Sequence, residues 1–488
     1  MKPFMRRVFS LCAAVFLSAS AMPVAVSAEA TTYSLTDIGD SIKIVGRSQM
    51  EDTGLAVYTT GAGIAFYSEC SGDITLTLTA RNRYTTRQYF TVTVDGVRER
   101  VCVENPSNAA RQSTITLAEN LDQGYHRIEV YRQTEEVNAT CVFNSLTLNG
   151  TVSPVPEAPL LIEFVGDSIT AGASMFRAEA DQAADDPACQ DGTQTYAYQT
   201  AQALGADFQA CCTSGYGVVK GWNSDNANLL KMYPFTAYHV RHQDKEENYW
   251  PFARQADVVV INLGTNDNTV SSKKKLTKTQ FQEGATALME LVREKNPDSQ
   301  IVWATGMMGT FYEQELTAAV EELGGAEAGY YFCELPKGTG GGAGHPNLEQ
   351  HTAAAKALTE FLQETVLPQG YRDTLASEDE MQSLIDATAS LTNDRRLAAQ
   401  AELTAYRQNG GTNAGTMTAA YTDLLAAQAE MAPASGGDLG AQEENGLPAY
   451  VWWIIGGGAV IVVGLILFAV VYTLKHKEPE GTSPKGEA

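Results

Sequence analysis

The chain has 488 residues, and its 34 lysines and arginines against 58 aspartates and glutamates give a formal net charge of −24. A chain of this length holds two or three domains. The strong acidic excess argues against a nucleic-acid partner, because phosphate binding requires basic patches, and it is compatible with a neutral polysaccharide or a small ester.

The first 28 residues predict a secretory signal peptide. A basic start ends at Arg7, residues 8–21 are mostly apolar, and Val26-Ser27-Ala28 fits a small-residue cleavage site. A transmembrane anchor is the weaker alternative, because the apolar core is short and Pro23 follows it. We therefore expect the domains that follow to lie outside the cytoplasm.

Seven cysteines follow the predicted signal peptide, and an odd number outside the cell leaves at least one thiol unpaired. They are Cys70, Cys102, Cys141, Cys189, Cys211, Cys212 and Cys333. None of them forms a C-x-x-C pair, so neither a zinc site nor a redox site is expected. Buried free thiols are the expected state of several.

Residues 31–152 predict an all-β domain. Ile74, Leu76 and Leu78 alternate with polar residues, and Asp95-Gly96 is a typical hairpin turn. Short strands separated by turns favour a β-sandwich of the jelly-roll kind. A stiff, proline-containing linker follows at residues 154–159.

Residues 158–368 predict an α/β domain, in which apolar runs alternate with helical patterns. Strands are expected at 160–165, 208–212, 258–263, 301–304 and 330–333, and helices at 196–204, 281–295, 313–323 and 348–362. This alternation implies a parallel sheet that is covered by helices on both faces.

Residues 373–432 predict a helical stalk, with a capping box at Ser377 and Glu380. Residues 433–449 are expected to form a flexible linker, and residues 450–474 a transmembrane helix, because no charge interrupts the run 451–472. A buried core helix is the alternative. Lysines after this run place the tail, 475–488, in the cytoplasm. The expected protein is a single-pass cell-membrane protein whose domains are extracellular.

Four polar motifs follow four of the predicted strands. They are Gly166-Asp167-Ser168-Ile169-Thr170, Ser214-Gly215-Tyr216-Gly217, Gly264-Thr265-Asn266-Asp267 and Gly344-His345-Pro346-Asn347. In an open α/β sheet the ligand crevice lies outside the carboxyl ends of the strands, so the motifs should converge. A serine, a histidine and several amide donors in one place are what acyl transfer requires.

Ser168 is the candidate nucleophile, and its backbone N–H, the Gly215 N–H and the Asn266 side-chain amide are candidate donors to an oxyanion. Each residue has an ordinary alternative role: a helix cap for Ser168, and a turn residue for Gly215 and for Asn266. His345 is the candidate base, because it alone among six histidines follows a core strand and precedes a helix start. His351, inside a helix, is expected at the surface. No residue cluster has metal-ligand spacing, so neither a metal nor a cofactor is expected.

In this order the four motifs resemble those of the SGNH (GDSL) hydrolase superfamily. The resemblance covers residues 158–368 and implies a flavodoxin-like three-layer sandwich. It also implies that Ser168 is the nucleophile, Gly215 and Asn266 the oxyanion partners, and His345 the base.

The β-domain adds a narrower resemblance. Gly46-Arg47, Val94-Asp95-Gly96 and Gly124-Tyr125-His126 look like the N-terminal jelly roll of carbohydrate esterase family 2, and Ser214–Gly217 and His345-Pro346 are similar to its catalytic blocks. That family removes O-acetyl groups from plant polysaccharides. Together with the predicted signal peptide and transmembrane helix, the resemblance implies a membrane-anchored, extracytoplasmic serine esterase that deacetylates carbohydrates. No obligate protein partner is evident. A lipase or thioesterase acting on longer acyl groups, and a carbohydrate-binding protein with a decayed site, are the alternatives.

One position departs from the superfamily pattern. An aspartate usually stands three residues before the histidine, and here that position is Gly342. Either a backbone carbonyl of the loop 338–344 orients His345, as in family members with a Ser–His dyad, or activity is low. Four aromatic residues could stack on a sugar, although core packing is expected for any one of them: Trp222, Tyr233, Trp250 and Trp303.

Overall fold

The structure is a computed structural model that describes residues 29–176, 186–237, 246–268 and 276–431. The predicted signal peptide (1–28), linker (433–449), transmembrane helix (450–474) and tail (475–488) lie outside the described residues. Within the described ranges, no helix combines the length and the apolar character needed to cross a membrane.

The N-terminal domain is all-β, as predicted, and its strands pair antiparallel in the order β3-β4-β9-β5-β8-β6-β7, with β1 beside β9 and with β2 and β10 beside β5. The strands are β1 (Thr31–Ser34), β2 (Lys43–Val45), β3 (Ser48–Glu51), β4 (Gly54–Val57), β5 (Gly63–Asn82), β6 (Arg87–Val94), β7 (Val97–Glu104), β8 (Arg111–Arg132), β9 (Ala139–Gly150) and β10 (Ser153–Pro154).

The predicted alternation fits this domain. Ile74, Leu76 and Leu78 on β5 are fully buried in the core. The Asp95-Gly96 turn joins β6 to β7 with positive φ at both residues, 50° and 86°, which suits a two-residue hairpin. Strands β5 and β8 have 20 and 22 residues, and the bulges in their pairing let such long strands bend.

The second domain is the predicted α/β unit. Its five parallel strands are β11 (Leu161–Gly166), β12 (Asp207–Cys212), β13 (Val258–Asn262), β14 (Gln300–Thr305) and β15 (Tyr330–Glu334), each within one residue of its expected bounds. Their order, β12-β11-β13-β14-β15, is the flavodoxin-like order. Gly166 lies opposite Cys212 and Asn262, so the loops after these strands leave the sheet at the same edge.

Helices cover both faces of this sheet. Ile162 and Phe164 of β11 enter one core, and Leu161 and Val165 enter the other. The helices are α1 (Ser168–Ala171), α2 (Tyr196–Ala203), α3 (Leu229–Met232), α4 (Lys278–Lys295), α5 (Glu313–Glu322) and α6 (Leu348–Phe361). The three-layer prediction is therefore confirmed.

The C-terminal segment is helical, but the prediction of a stalk is wrong. Helices α7 (Glu378–Ala387), α8 (Asp394–Asn409) and α9 (Ala414–Met431) pack on one another around a core that includes Met381 and Leu403. Glu402 of α8 is fully buried against the β-domain, where its carboxylate accepts hydrogen bonds from Tyr67 Oη at 2.7 Å and Arg127 Nε at 2.8 Å. A helix with two buried sides folds back on its neighbours and cannot extend as a stalk.

Candidate active site

Ser168 is the first residue of α1, directly after β11. Asp167 caps this helix, because its Oδ1 accepts the Ile169 N–H at 2.9 Å, so the ordinary capping role belongs to Asp167 and not to Ser168. Helix α1 has only four residues before Gly172 ends it in the left-handed conformation. A single turn has few aligned peptide dipoles, so the helix adds little positive field at Ser168.

The structure brings Ser168 and His345 into hydrogen-bond contact, with 2.8 Å between the serine Oγ and the histidine Nε2. The other ring nitrogen, Nδ1, lies 3.1 Å from the carbonyl oxygen of Gly342. A carbonyl oxygen only accepts, so Nδ1 carries the proton and Nε2 is left to accept from the serine hydroxyl. This is the tautomer that a general base needs.

The glycine-rich loop that carries Gly342 is held in place by backbone bonds. The Gly342 N–H donates to Ser174 O at 2.9 Å, the Gly341 N–H donates to His345 O at 2.7 Å, and Gly338 N–H donates to Met307 O at 2.8 Å. The Gly342 carbonyl is therefore held in place, and it contacts His345 Nδ1 where the superfamily pattern would have an aspartate.

Burial lowers the pKa of His345 below its ordinary value of 6.5, and the hydrogen bond to Gly342 opposes this only in part. The imidazole is neutral at pH 7 as a result, which is the protonation state that can take a proton from Ser168.

Asn266 joins the first two motif loops through its side-chain amide. Its Nδ2 donates to Asp167 Oδ2 at 3.0 Å and to Tyr216 O at 2.8 Å. These two bonds account for both amide hydrogens, so donation to an oxyanion requires that one of them be shared or exchanged.

Gly215 lies in the loop after β12 with φ of +81°, a conformation that favours glycine. A Cβ built on it would meet nothing within 4 Å, so open space lies in front of this backbone. Its carbonyl accepts the Trp222 N–H at 2.8 Å. Of the four aromatic residues for which core packing was expected, Tyr233 and Trp303 are buried in the core, whereas Trp250 is partly buried and Trp222 is 52% exposed.

Asp267 holds the downstream part of the same loop, a role that sequence reasoning missed although Asp267 belongs to the third motif. Its carboxylate accepts three consecutive backbone N–H groups, from Val218, Val219 and Lys220, at 2.8, 2.9 and 3.2 Å. Gly217 permits this approach, because a Cβ there would lie 2.3 Å from Asp267 Oδ2.

Glu135 holds the upstream part, and it comes from the β-domain. Its carboxylate accepts the N–H and the Oγ–H of Ser214, each at 2.6 Å. The sequence carries no signal for this contact, because Glu135 lies in a loop of another domain and belongs to no motif.

Three buried carboxyl groups therefore surround the site. Burial raises the pKa of Asp167 to about 7, and the nearby Asp267 and Glu135 add to the rise. Burial also raises the pKa values of Asp267 and Glu135. Asp167 consequently changes its charge near neutral pH.

The remaining histidines have other hydrogen-bond partners or lie outside the described residues. The expectation of a surface role for His351 is wrong: it is fully buried, its Nδ1 accepts the Tyr196 N–H at 3.1 Å, and it stacks on the Tyr196 ring. His126 pairs with Asp95 in the β-domain. His239, His242 and His476 lie outside the described residues. All seven described cysteines are free thiols, and only Cys102 among them is exposed.

Two family models match the chain. The carbohydrate esterase 2 N-terminal model matches residues 44–156, and the GDSL-like lipase/acylhydrolase model matches residues 164–384. The two matches cover most of the β-domain and most of the α/β domain described above, and the second extends into α7.

Curated relatives match about half of this chain. An acetylxylan esterase / glucomannan deacetylase of Cellvibrio japonicus is 27% identical over 267 residues, which are 52% of this chain and 71% of that protein. The cellulase/esterase CelE of Acetivibrio thermocellus is 29% identical over 267 residues, but the match spans only 31% of its length.

Solved structures share the fold. An acetyl xylan esterase from the rumen bacterium Butyrivibrio proteoclasticus superposes with a TM-score of 0.61 at 23% identity, covering 69% of this chain and 98% of that one. A family two carbohydrate esterase from Cellvibrio japonicus gives 0.60 at 22% identity, covering 70% and 98%. A family two esterase from Clostridium thermocellum, solved with cellohexaose, gives 0.58 at 24% identity, covering 66% and 98%.

Proposed function

Because the chain belongs to the SGNH (GDSL) hydrolase superfamily, with the two-domain architecture of carbohydrate esterase family 2, and is thereby a carboxylic ester hydrolase, we propose that it removes O-acetyl groups from carbohydrates. The observation that carries the proposal is the contact between Ser168 Oγ and His345 Nε2, with Nδ1 on a backbone carbonyl.

In the proposed reaction Ser168 Oγ attacks the acetyl carbonyl carbon while His345 Nε2 takes the hydroxyl proton. The negative charge on the carbonyl oxygen is stabilised by the backbone N–H groups of Ser168 and Gly215 and by the Asn266 amide. The C–O bond to the sugar breaks, and the sugar oxygen takes the proton from His345. Water, deprotonated by the same histidine, then attacks the acetyl-enzyme, and acetate leaves as Ser168 regains its proton.

The base works here as a Ser–His dyad. The Gly342 carbonyl orients the ring and accepts from Nδ1, which secures the tautomer. It brings only a partial negative charge to the imidazolium, whereas the aspartate of a triad brings a full one. The dyad therefore relies on orientation and on oxyanion stabilisation for most of its rate.

Three observations support a carbohydrate ester as substrate. The relatives named above are acetylxylan esterases and carbohydrate esterases. The half-exposed Trp222 is anchored to Gly215, and an exposed aromatic ring beside an active site suits the apolar face of a sugar. The acidic chain favours neutral over anionic polymers.

The direct test is acetate release by the full-length chain from acetylated xylan and acetylated glucomannan, with Ser168→Ala as the control. We expect release by the wild type and none by the variant. Binding of either glycan without acetate release would instead identify a carbohydrate-binding protein whose site has decayed.

Acyl preference is measured on acetyl, butyryl and octanoyl esters of one alcohol. We expect the acetyl ester to have the highest kcat/KM, because each methylene left in water forfeits about 0.8 kcal/mol of burial. A preference for octanoyl, with no acetate released from either glycan, would place the chain among the lipases or thioesterases.

We propose further that the protein is exported and held at the cell membrane, with the signal at residues 1–28 and the anchor at residues 450–474. Alkaline carbonate extraction of membranes, and protease digestion of intact cells, test this. The α/β domain should stay with the membrane fraction and be cleaved from outside. Recovery in the soluble cell extract would contradict the proposal.

A further inference from the structure

We propose that Glu135 of the β-domain is a positioning residue for the esterase site, one that holds the Ser214–Gly215 loop so that the Gly215 N–H points at the oxyanion. This inference rests on the proposed function. Under this proposal a residue of the β-domain completes the active site of the α/β domain, so the β-domain contributes to the rate of the chemical step.

The contact between Glu135 and Ser214 is bidentate. Glu135 Oε2 accepts the Ser214 N–H and Glu135 Oε1 accepts the Ser214 Oγ–H, both at 2.6 Å, and Oε1 also accepts from Gln190 Nε2 at 2.7 Å. Hydrogen bonds to a carboxylate are shorter and about twice as strong as neutral ones. These bonds fix the Thr213–Ser214 peptide unit and the Ser214 side chain, which directly precede the peptide unit that carries the Gly215 N–H.

Gly215 needs such support. Its φ is +81°, and a Cβ built on it would meet nothing within 4 Å, so no neighbouring atom packs against this position. Glycine also has the most flexible backbone of all residue types. Asp267 fixes the loop only from Val218 onwards. Glu135 restrains the other side, so the two carboxylates bracket the glycine whose N–H is the proposed donor.

The loop that carries Glu135 is itself rigid. It joins β8 to β9, and the fully buried Arg132 donates from Nε to Thr134 O at 2.5 Å and from Nη2 to Glu135 O at 3.2 Å. The Glu135 side chain is 3% exposed, and burial raises its pKa. A buried carboxylate is costly unless it is hydrogen-bonded, and an apolar contact would join two domains at lower cost. The contact of Glu135 with Ser214 is therefore better explained by a role in orienting the Ser214–Gly215 loop than by a role in holding the two domains together.

The test compares Glu135→Gln with the wild type in the full-length chain, using para-nitrophenyl acetate so that the readout does not depend on the sugar. A glutamine side chain has almost the same size, but its amide nitrogen donates and does not accept, so one of the two oxygens that accept the Ser214 hydrogens is lost. We expect kcat to fall by about 10- to 100-fold with KM changed less than about threefold, because loss of a whole oxyanion donor costs ~10²–10³ in kcat.

Lys43→Met is the matched control. Lys43 also crosses the domain boundary, where its Nζ bonds Asp207 Oδ1 at 2.5 Å, but Asp207 starts β12 at the edge of the sheet opposite to Ser214. Loss of this ion pair should lower the melting temperature and leave kcat unchanged. A merely structural role for Glu135 would give E135Q the same profile as K43M.

The possible outcomes distinguish a failure of this inference from a failure of the proposed function. A folded E135Q with kcat within twofold of wild type overturns the inference and leaves the proposed function standing. A wild type without esterase activity overturns both. Should E135Q fail to fold, Glu135→Asp keeps the charge but withdraws it by about one methylene, and a folded E135D with wild-type kcat overturns the inference equally.

Discussion

Substitution of Gly341 by alanine probes the orientation of His345 without touching either residue of the dyad. A Cβ on Gly341 would lie 2.8 Å from Ser174 O, 2.9 Å from His345 O and 3.0 Å from Pro346 O. Carbon–oxygen contacts normally begin at about 3.3 Å, so the loop must move by about 0.5 Å. The three oxygens are backbone atoms, so no side-chain rotation relieves the contact.

The movement reaches the reacting groups directly. The Gly341 N–H donates to His345 O at 2.7 Å, and the next residue supplies the carbonyl that faces Nδ1. A displacement of 1 Å costs about 10²-fold in rate, so half of that displacement should cost about 10-fold in kcat. KM should change little, because the substrate does not depend on Nδ1 for binding.

The assay is steady-state hydrolysis of para-nitrophenyl acetate, with circular dichroism to confirm the fold. Gly39→Ala is the control, because its Cβ would meet only the flexible end of Met50, at 3.5 Å, in the β-domain. A folded Gly341→Ala protein with kcat within twofold of wild type would refute the idea that the placement of this loop sets the rate.

Four further predictions concern the dyad, its oxyanion partner and a buried histidine. Ser168→Ala and His345→Ala should each lower kcat by at least about 10²-fold, and more than a tenth of the wild-type rate in the histidine variant would refute its role as base. Asn266→Ala should lower kcat by ~10²–10³ with the fold intact, whereas a wild-type rate would remove Asn266 from the oxyanion site. Burial lowers the pKa of His345, so protonation of this histidine should reduce kcat/KM only below pH 6.5. Because the pKa of Asp167 is about 7, the histidine is followed separately by NMR, and an imidazole pKa above 6.5 contradicts this assignment. Burial lowers the pKa of His351 to about 3, so between pH 6.5 and pH 3 this histidine binds a proton in the unfolded protein but not in the folded protein. The free energy of unfolding, measured with urea, should therefore fall as the pH is lowered from 6.5 towards 3, and it should fall less steeply in His351→Phe.

The sequence determined the elements of the α/β domain and the meeting of its motifs. Strands that are buried on both faces are short continuous apolar runs, which is why all five were predicted within one residue. Parallel strands all end at one edge of a sheet, so the loops carrying Ser168 and Asn266 had to lie close together. The contact between Ser168 and His345 follows from this topology and from the motif order.

Tertiary structure alone decided the partners of these residues. The Nδ1 partner of His345 is a carbonyl, a group that every residue carries, so no residue type could indicate it. Helices α7 to α9 show an apolar face in their sequence, but this pattern does not indicate which surface the face packs against. Likewise, the position of His351 within a helix does not indicate that the helix buries it against Tyr196. Glu135 reaches Ser214 from another domain, and such a contact depends on how two folded surfaces meet, which local propensity and periodicity do not encode.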